Sequence, residues 1–525
     1  MPLRLRPLLR LLAFLAATVA TAALARAELR LPAVFGDHMV LQRDARVPVW
    51  GAADAGAVVT VAFAGQNKSA TAAADGRWRV DLDPLAVSAA GRDLTVSATL
   101  NAKTDTRKIA DILVGEVWLG SGQSNMAMTV SRCADFEKEQ AAANFPLIRH
   151  YRETSRNSAT PQTVGEGKWE LCAPATVGGF SGTLYFFGRE LHRTLGVPVG
   201  LVNSSVGGTP IEAWIDAATQ TADPALRAAT AALAANPPPA AAPAPAPKKA
   251  ARKTADADAS TSAPTSAKSG DTPAPATKTA KAARAAKSTE VRATTGGLFN
   301  GKIVPLIPFA IRGALWYQGE ANSTPAKAPL YQHQLPLLIR DWRARWGYDF
   351  PFAWVQLPNF TGAGRDWPPV REAMLKTLAV PKTGMAITMD VGEATDIHPK
   401  NKQAVGYRLA LWALGTVYTQ KVPAVSGPLP AGHEVRGREI VLRFQHATGG
   451  LVATGGGELK GFVVAGVDRT WHPATARIVG DTVVVSSPAV AAPIAARYAW
   501  ENLPTCNLAN AAGLPASPFR TDDWP

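Results

Sequence analysis

The sequence predicts an α/β protein: a parallel sheet covered by helices on both faces, with smaller β-sandwich-like regions before and after it. Three observations carry this expectation. Between about 109 and 421, short apolar runs recur at Ile112 to Leu119, Val197 to Val202, Ile311 to Tyr317, Phe352 to Leu357 and Met385 to Met389. Strands buried on both faces read as such runs. Between them lie amphipathic stretches, one marked by Leu184, Phe187 and Leu191 and another by Val405, Leu409, Trp412 and Ala413. Alternation of the two implies a parallel sheet with helical crossovers. On either side of this region, only short strand-like segments divided by turn residues occur.

Taken in order, residues 1–27 read as a secretory signal peptide. Arg4, Arg6 and Arg10 form a basic start, Leu11 to Ala25 is apolar, and Ala25-Arg26-Ala27 fits the small-x-small cleavage pattern. The apolar run is shorter than the roughly 20 residues needed to span a bilayer. The expected mature protein therefore has no membrane span and is periplasmic or secreted. Residues 28–108 hold strand-like runs at Arg46 to Trp50, Val58 to Ala62 and Trp78 to Leu82. Residues 109–235 and 293–421 form two parts of the α/β region. They are separated by 236–292, rich in Ala, Pro, Lys, Thr and Ser and without an aromatic residue. Such a composition buries too little apolar surface to offset its ordering entropy, so a disordered insertion is expected. Residues 422–525 return to strands, at Glu439 to Phe444, Gly461 to Ala465 and Thr482 to Ser486.

The net charge of +14 suggests nucleic acid only until it is apportioned. Residues 1–27 carry four Arg and no acid, and 236–292 carry ten Lys or Arg against four acids, leaving +4 for the rest. A nucleic-acid footprint belongs on the folded surface, so nucleic acid is not expected as a partner. The three cysteines, Cys133, Cys172 and Cys506, have no metal-ligand spacing and read as buried free thiols.

Four polar blocks follow the apolar runs. Gly120-Ser-Gly-Gln-Ser-Asn-Met126 places Ser124 past a strand end, the edge where open α/β sheets bind ligands. Asn203-Ser-Ser-Val-Gly-Gly-Thr209 offers backbone N–H groups at a glycine turn. Trp316-Tyr-Gln-Gly-Glu-Ala-Asn322 brings Gln318, Glu320 and Asn322 to one edge, and Asp396-Ile-His-Pro399 follows the run at Met385 to Met389. Each alone reads as a polar turn. Together they supply a hydroxyl, an imidazole, a carboxylate and oxyanion donors, the parts of an acyl-transfer site. Serine is a weak nucleophile until a base removes its proton, and imidazole suits that task near neutral pH.

These four blocks, with the extension to Thr209-Pro-Ile-Glu-Ala-Trp214, resemble the sialate O-acetylesterase-like family of SGNH hydrolases. The resemblance also takes in Phe186-Phe-Gly-Arg-Glu-Leu191, Asp341-Trp-Arg-Ala-Arg-Trp346 and Gly513 to Phe519, and covers nearly all of the chain except 236–292. It implies a flavodoxin-like sheet, Ser124 as nucleophile and His398 as base, and the N–H groups of Ser124 and Gly208 in the oxyanion hole. Asn322 or Gln318 would add the third donor, because the third block is one residue longer than the usual Gly-x-Asn. Two carboxylates remain open for the triad acid: Asp396, two residues before His398, and Glu320. Trp214, Trp316 and Tyr317 lie near these blocks and offer rings for a sugar to stack on, although the apolar core is the commoner place for such residues. The implied reaction is hydrolysis of sugar acetyl esters through an acetyl-enzyme, with no metal or organic cofactor. The substrate would be O-acetylated sialic acid or a hemicellulose such as xylan or xyloglucan. A sialate carboxylate would call for an arginine, for which Arg365 and Arg371 are candidates. Two other readings stand beside it: an inactive carbohydrate-binding protein, and a lipid or thioester hydrolase on the same scaffold.

Overall fold

The computed structural model describes residues 28–237, 293–362 and 364–524. The expected leader at 1–27, and all but the first two residues of the 236–292 insertion, lie outside the described residues. Seven strands form the backbone of the largest sheet: β1 (Lys103–Gly122), β2 (Phe145–Glu153), β3 (Gly167–Cys172), β4 (Val199–Ser205), β5 (Gly313–Tyr317), β6 (Phe352–Val355) and β7 (Thr383–Ala386), in the spatial order β7-β6-β5-β1-β4-β2-β3. All neighbours are parallel except β2 and β3. Counting β1, β4, β5, β6 and β7 alone, the order is second, first, third, fourth, fifth, the flavodoxin-like arrangement.

Period-two alternation sends successive residues to opposite faces of this sheet. Leu119, Ala314, Trp316 and Trp354 enter one core, against helices α3 (Tyr331–Trp346) and α4 (Trp367–Thr377). Trp118, Leu315, Tyr317 and Ala353 enter the other, against α2 (Gly182–Leu195) and α5 (Lys402–Trp412). Helix α2 starts where the Ser181 hydroxyl accepts the Leu184 N–H, and stops at Gly196 in the left-handed region.

The expected boundary near 108 falls inside β1, a single strand of 20 residues. Its first half is mostly exposed and pairs antiparallel with Ser88–Leu100, while its second half is buried between β4 and β5. The composition shift near Lys108 marks a change of environment along one strand, because charged residues there face water. The amino-terminal region shares the core on the α3/α4 side. The carboxyl-terminal region builds two four-stranded sheets around its own core. Arg371, fully buried, fastens it by donating to the carbonyls of Leu357, Pro358, Glu501 and Asn502. Among the described residues, no helix is long and apolar enough to cross a membrane. Cys133, Cys172 and Cys506 are free thiols.

Candidate active site

Strand β1 ends at Gly122, whose φ of +130° and approach to Tyr317 leave no room for a side chain: a Cβ would stand 2.2 Å from the Tyr317 carbonyl oxygen. The chain then turns into a single helical turn, α1 (Ser124–Ala127), which puts Ser124 at the carboxyl edge of the sheet. A first-turn N–H has no partner within its helix. The next strand over, β4, ends at Ser205 and continues into a glycine turn held by Val206 N–H on Gly122 O. Gly207 lies against the Ser124 turn, where an added Cβ would meet Ser124 Cβ at 3.4 Å. Gly208 follows with φ +73° and is exposed. Among the described residues, neither the Ser124 nor the Gly208 N–H donates to another protein group.

His398 comes from the loop between β7 and α5. Its Nε2 is 2.8 Å from Ser124 Oγ. Asp396 Oδ1 accepts the backbone N–H of His398 at 2.9 Å and lies 3.6 Å from Nδ1, too long for a hydrogen bond but well placed for charge. Partial burial holds the imidazole below its usual range; Asp396 opposes this, while Arg132 and Lys402 add to it. The imidazole is therefore biased towards its neutral form, the one that can accept a proton.

The third block is close by but differently used. Glu320 is fully buried beneath Asn125, whose Nδ2 donates to Glu320 Oε1 at 2.5 Å, and burial raises the Glu320 carboxyl above its ordinary range. Among the described residues, Glu320 makes no hydrogen bond to His398. Gln318 has both amide protons committed, to Thr209 O and Asn322 Oδ1. Asn322 donates to Glu212 Oε2 and accepts from Ile211 N. These two amides brace the 209–212 turn in the buried interior, so the expected third oxyanion donor is not found at either position. Sugar stacking is corrected as well: Trp214, Trp316 and Tyr317 are 0% exposed. The indole N–H groups of Trp214 and Trp316 are satisfied by Thr209 Oγ1 and by the Tyr331 hydroxyl. Arg371 is likewise spent on backbone carbonyls, whereas Arg365, half-buried, donates to Glu320 O.

Other residues join the site that the sequence reading left without a role. Asn125, inside the Gly-Gln-Ser-Asn-Met block, contacts both the third block and the histidine loop. Lys402 lies buried beneath it. A lysine opening a helix is opposed by the helix dipole, and that misfit was the available signal. Arg132 is exposed near His398 and has no ion pair among the described residues. A polar recess of about 40 Å³, lined in part by Thr129, Arg152, Asn203 and Ser205, opens next to Ala127 of the Ser124 turn.

The whole chain has close counterparts. A carbohydrate acetylesterase from Xanthomonas citri superimposes with a TM-score of 0.77 and 36% identity, over 95% of this chain and all of that one. The chain belongs to the sialate O-acetylesterase-like family of carbohydrate acetylesterases. Sialate O-acetylesterases of mouse and human are 28% and 27% identical to it, each over 93% of this chain, and over 94% and 92% of their own lengths. A family model described as carbohydrate esterase, sialic acid-specific acetylesterase, matches residues 300–414, from before β5 through α5. Like the rest of this acetylesterase family, the protein is a carboxylic ester hydrolase.

Proposed function

We propose that this protein is an exported serine O-acetylesterase acting on acetylated oligo- or polysaccharides. The 2.8 Å contact between His398 Nε2 and Ser124 Oγ at the carboxyl edge of the sheet carries this reading. In the first step Ser124 Oγ attacks the acetyl carbonyl while His398 takes its proton. The Ser124 and Gly208 N–H groups meet the oxyanion, usually the largest electrostatic contribution in such sites. Asp396 stabilises the imidazolium that forms. His398 then returns the proton to the departing sugar hydroxyl, and water activated by the same base releases acetate.

The mouse and human relatives are named for sialate esters, which makes O-acetylated sialic acid one candidate substrate class; acetylated hemicellulose such as xylan or xyloglucan is the other that the sequence motifs suggest. The recess holding Arg152 and Asn203, and the exposed Arg132 close enough to act on His398, would meet the polar substituents of the sugar. Acetate release from acetylated xylan, acetylated xyloglucan and a 9-O-acetyl sialoside, compared between the wild type and Ser124→Ala, tests the proposal. Loss in the variant supports the serine mechanism, and the preferred glycan sets the class. Binding of these glycans with no acetate from any of them would favour a carbohydrate-binding protein instead. Faster turnover of long-chain acyl esters would favour a lipid hydrolase.

A further inference from the structure

Lys402 is a buried cation close to His398 that the esterase mechanism leaves without a task. It opens α5, where the positive end of the helix opposes a cation, and burial lowers its ammonium pKa to about 8. A buried charge is weak evidence of a contribution to stability, because its desolvation offsets much of what its contacts gain, so fold stability alone gives little reason for a lysine here.

Its contacts supply one. Lys402 Nζ donates to Pro399 O at 2.6 Å and to Asn125 Oδ1 at 2.8 Å, and sits 5.4 Å from the centre of the Tyr317 ring. Asn125 Nδ2 in turn donates to Ile397 O at 3.0 Å and to Glu320 Oε1. The carbonyls immediately before and after His398 are thus both held, by two side chains that are bonded to each other. The amide of Asn125 is oriented by its ends, oxygen towards the Lys402 cation and nitrogen towards the Glu320 carboxylate. Since Asn125 follows Ser124 directly, the same chain of contacts joins the backbone of the nucleophile to that of the base.

We propose that Lys402 is a positioning residue for catalysis, clamping with Asn125 the backbone on both sides of His398 so that Nε2 stays in line with Ser124 Oγ. The inference rests on the esterase reading, with His398 as base. Displacing a reacting group by about 1 Å costs on the order of 100-fold in rate, and that is the loss expected in kcat for Lys402→Met, with KM for 4-nitrophenyl acetate little changed.

A second readout separates positioning from mere packing. The charged groups facing His398 are Asp396 on its own loop, Arg132 from the turn at Val130–Arg132, and Lys402 from α5. Removing the Lys402 cation raises the pKa of the base, so the acid limb of kcat/KM moves to higher pH in Lys402→Met. The experiment is a set of kcat, KM and pH profiles on 4-nitrophenyl acetate for the wild type, Ser124→Ala and Lys402→Met, with thermal melts confirming the fold. A large kcat loss in a folded protein with the limb displaced upward supports the clamp. An unchanged kcat, or a loss accompanied by an unmoved limb, overturns it while Ser124 dependence leaves the esterase reading intact. An inert wild type, or a fully active Ser124→Ala, instead brings down the esterase reading itself. Should Lys402→Met not fold, Asn125→Ser cuts the same clamp at its other end, and unchanged kcat there overturns the proposal.

Discussion

One carboxylate oxygen of Asp396 meets His398 twice: Oδ1 accepts the histidine backbone N–H at 2.9 Å and stands 3.6 Å from its Nδ1. The first contact fixes the loop and the second stabilises charge on the ring. With 44% of the Asp396 side chain exposed, that stabilisation is weakened by solvent. Asp396→Asn should therefore lower kcat by roughly 10- to 100-fold, less than the ~10⁴-fold typical of a buried triad acid. Glu320→Gln, which removes the buried carboxylate facing Asn125, should act mainly on the melting temperature. Steady-state kinetics beside melts of both variants check the ranking; a reversed order would move the acid to Glu320.

The lowered pKa of His398 fixes the direction of the pH profile. In the proposed mechanism rate requires the neutral imidazole, so kcat/KM should rise as pH passes upward through that pKa. The acid limb should accordingly lie below the ordinary imidazole midpoint of about 6.5. Arg132 contributes to the lowering, and Arg132→Gln should shift the limb upward. A pH series of kcat/KM on 4-nitrophenyl acetate reads both; a limb above the ordinary midpoint contradicts them.

Two glycines near Ser124 separate backbone strain from steric collision. At Gly122 both apply, since φ is +130° and a Cβ would sit 2.2 Å from Tyr317 O. Gly122→Ala should destabilise the fold by about 3 kcal/mol or more, from a backbone conformation L-residues avoid plus a forced shift of β5. Gly208 has φ +73° but nothing within 4 Å of its Cβ position. Gly208→Ala should cost only about 1 kcal/mol. Chemical denaturation of the pair measures the difference.

How far the sequence could be read follows from which features are local. Ser124, the glycine turn at 207–208 and His398 each follow an apolar run, and a parallel sheet brings all strand ends of one polarity to a single edge. Their meeting was therefore legible before any coordinates. What was not legible is direction. Trp316 and Tyr317 are adjacent in the third block yet enter opposite cores, and nothing in the motif says that neither faces the cleft. Gln318 and Asn322 have the right chemistry for an oxyanion donor, but their hydrogen bonds go to each other and to the 209–212 turn. Lys402 escaped because its partners lie at positions 125 and 399, and only folding shows that 125 is a neighbour.

The buried aromatics give a prediction that tests their reassignment directly. Trp316 packs edge-on against Trp214 and Trp342, with ring centres 6.0 Å apart in each pair, and its N–H donates to the Tyr331 hydroxyl. Trp316→Phe removes ring volume and that hydrogen bond together, for an expected loss of about 1–3 kcal/mol. Tyr317 differs, because its buried hydroxyl has no partner among the described residues. Tyr317→Phe removes an unsatisfied polar group and keeps the ring beside Lys402, so stability should hold or rise by up to about 1 kcal/mol. If both rings belong to the core, KM for an acetylated glycan stays within about twofold in either variant, since hydrophobic contacts absent from the cleft contribute nothing to substrate binding. Denaturation midpoints and glycan KM values measured side by side decide it. A rise in KM of tenfold or more at unchanged stability would return these rings to the substrate surface.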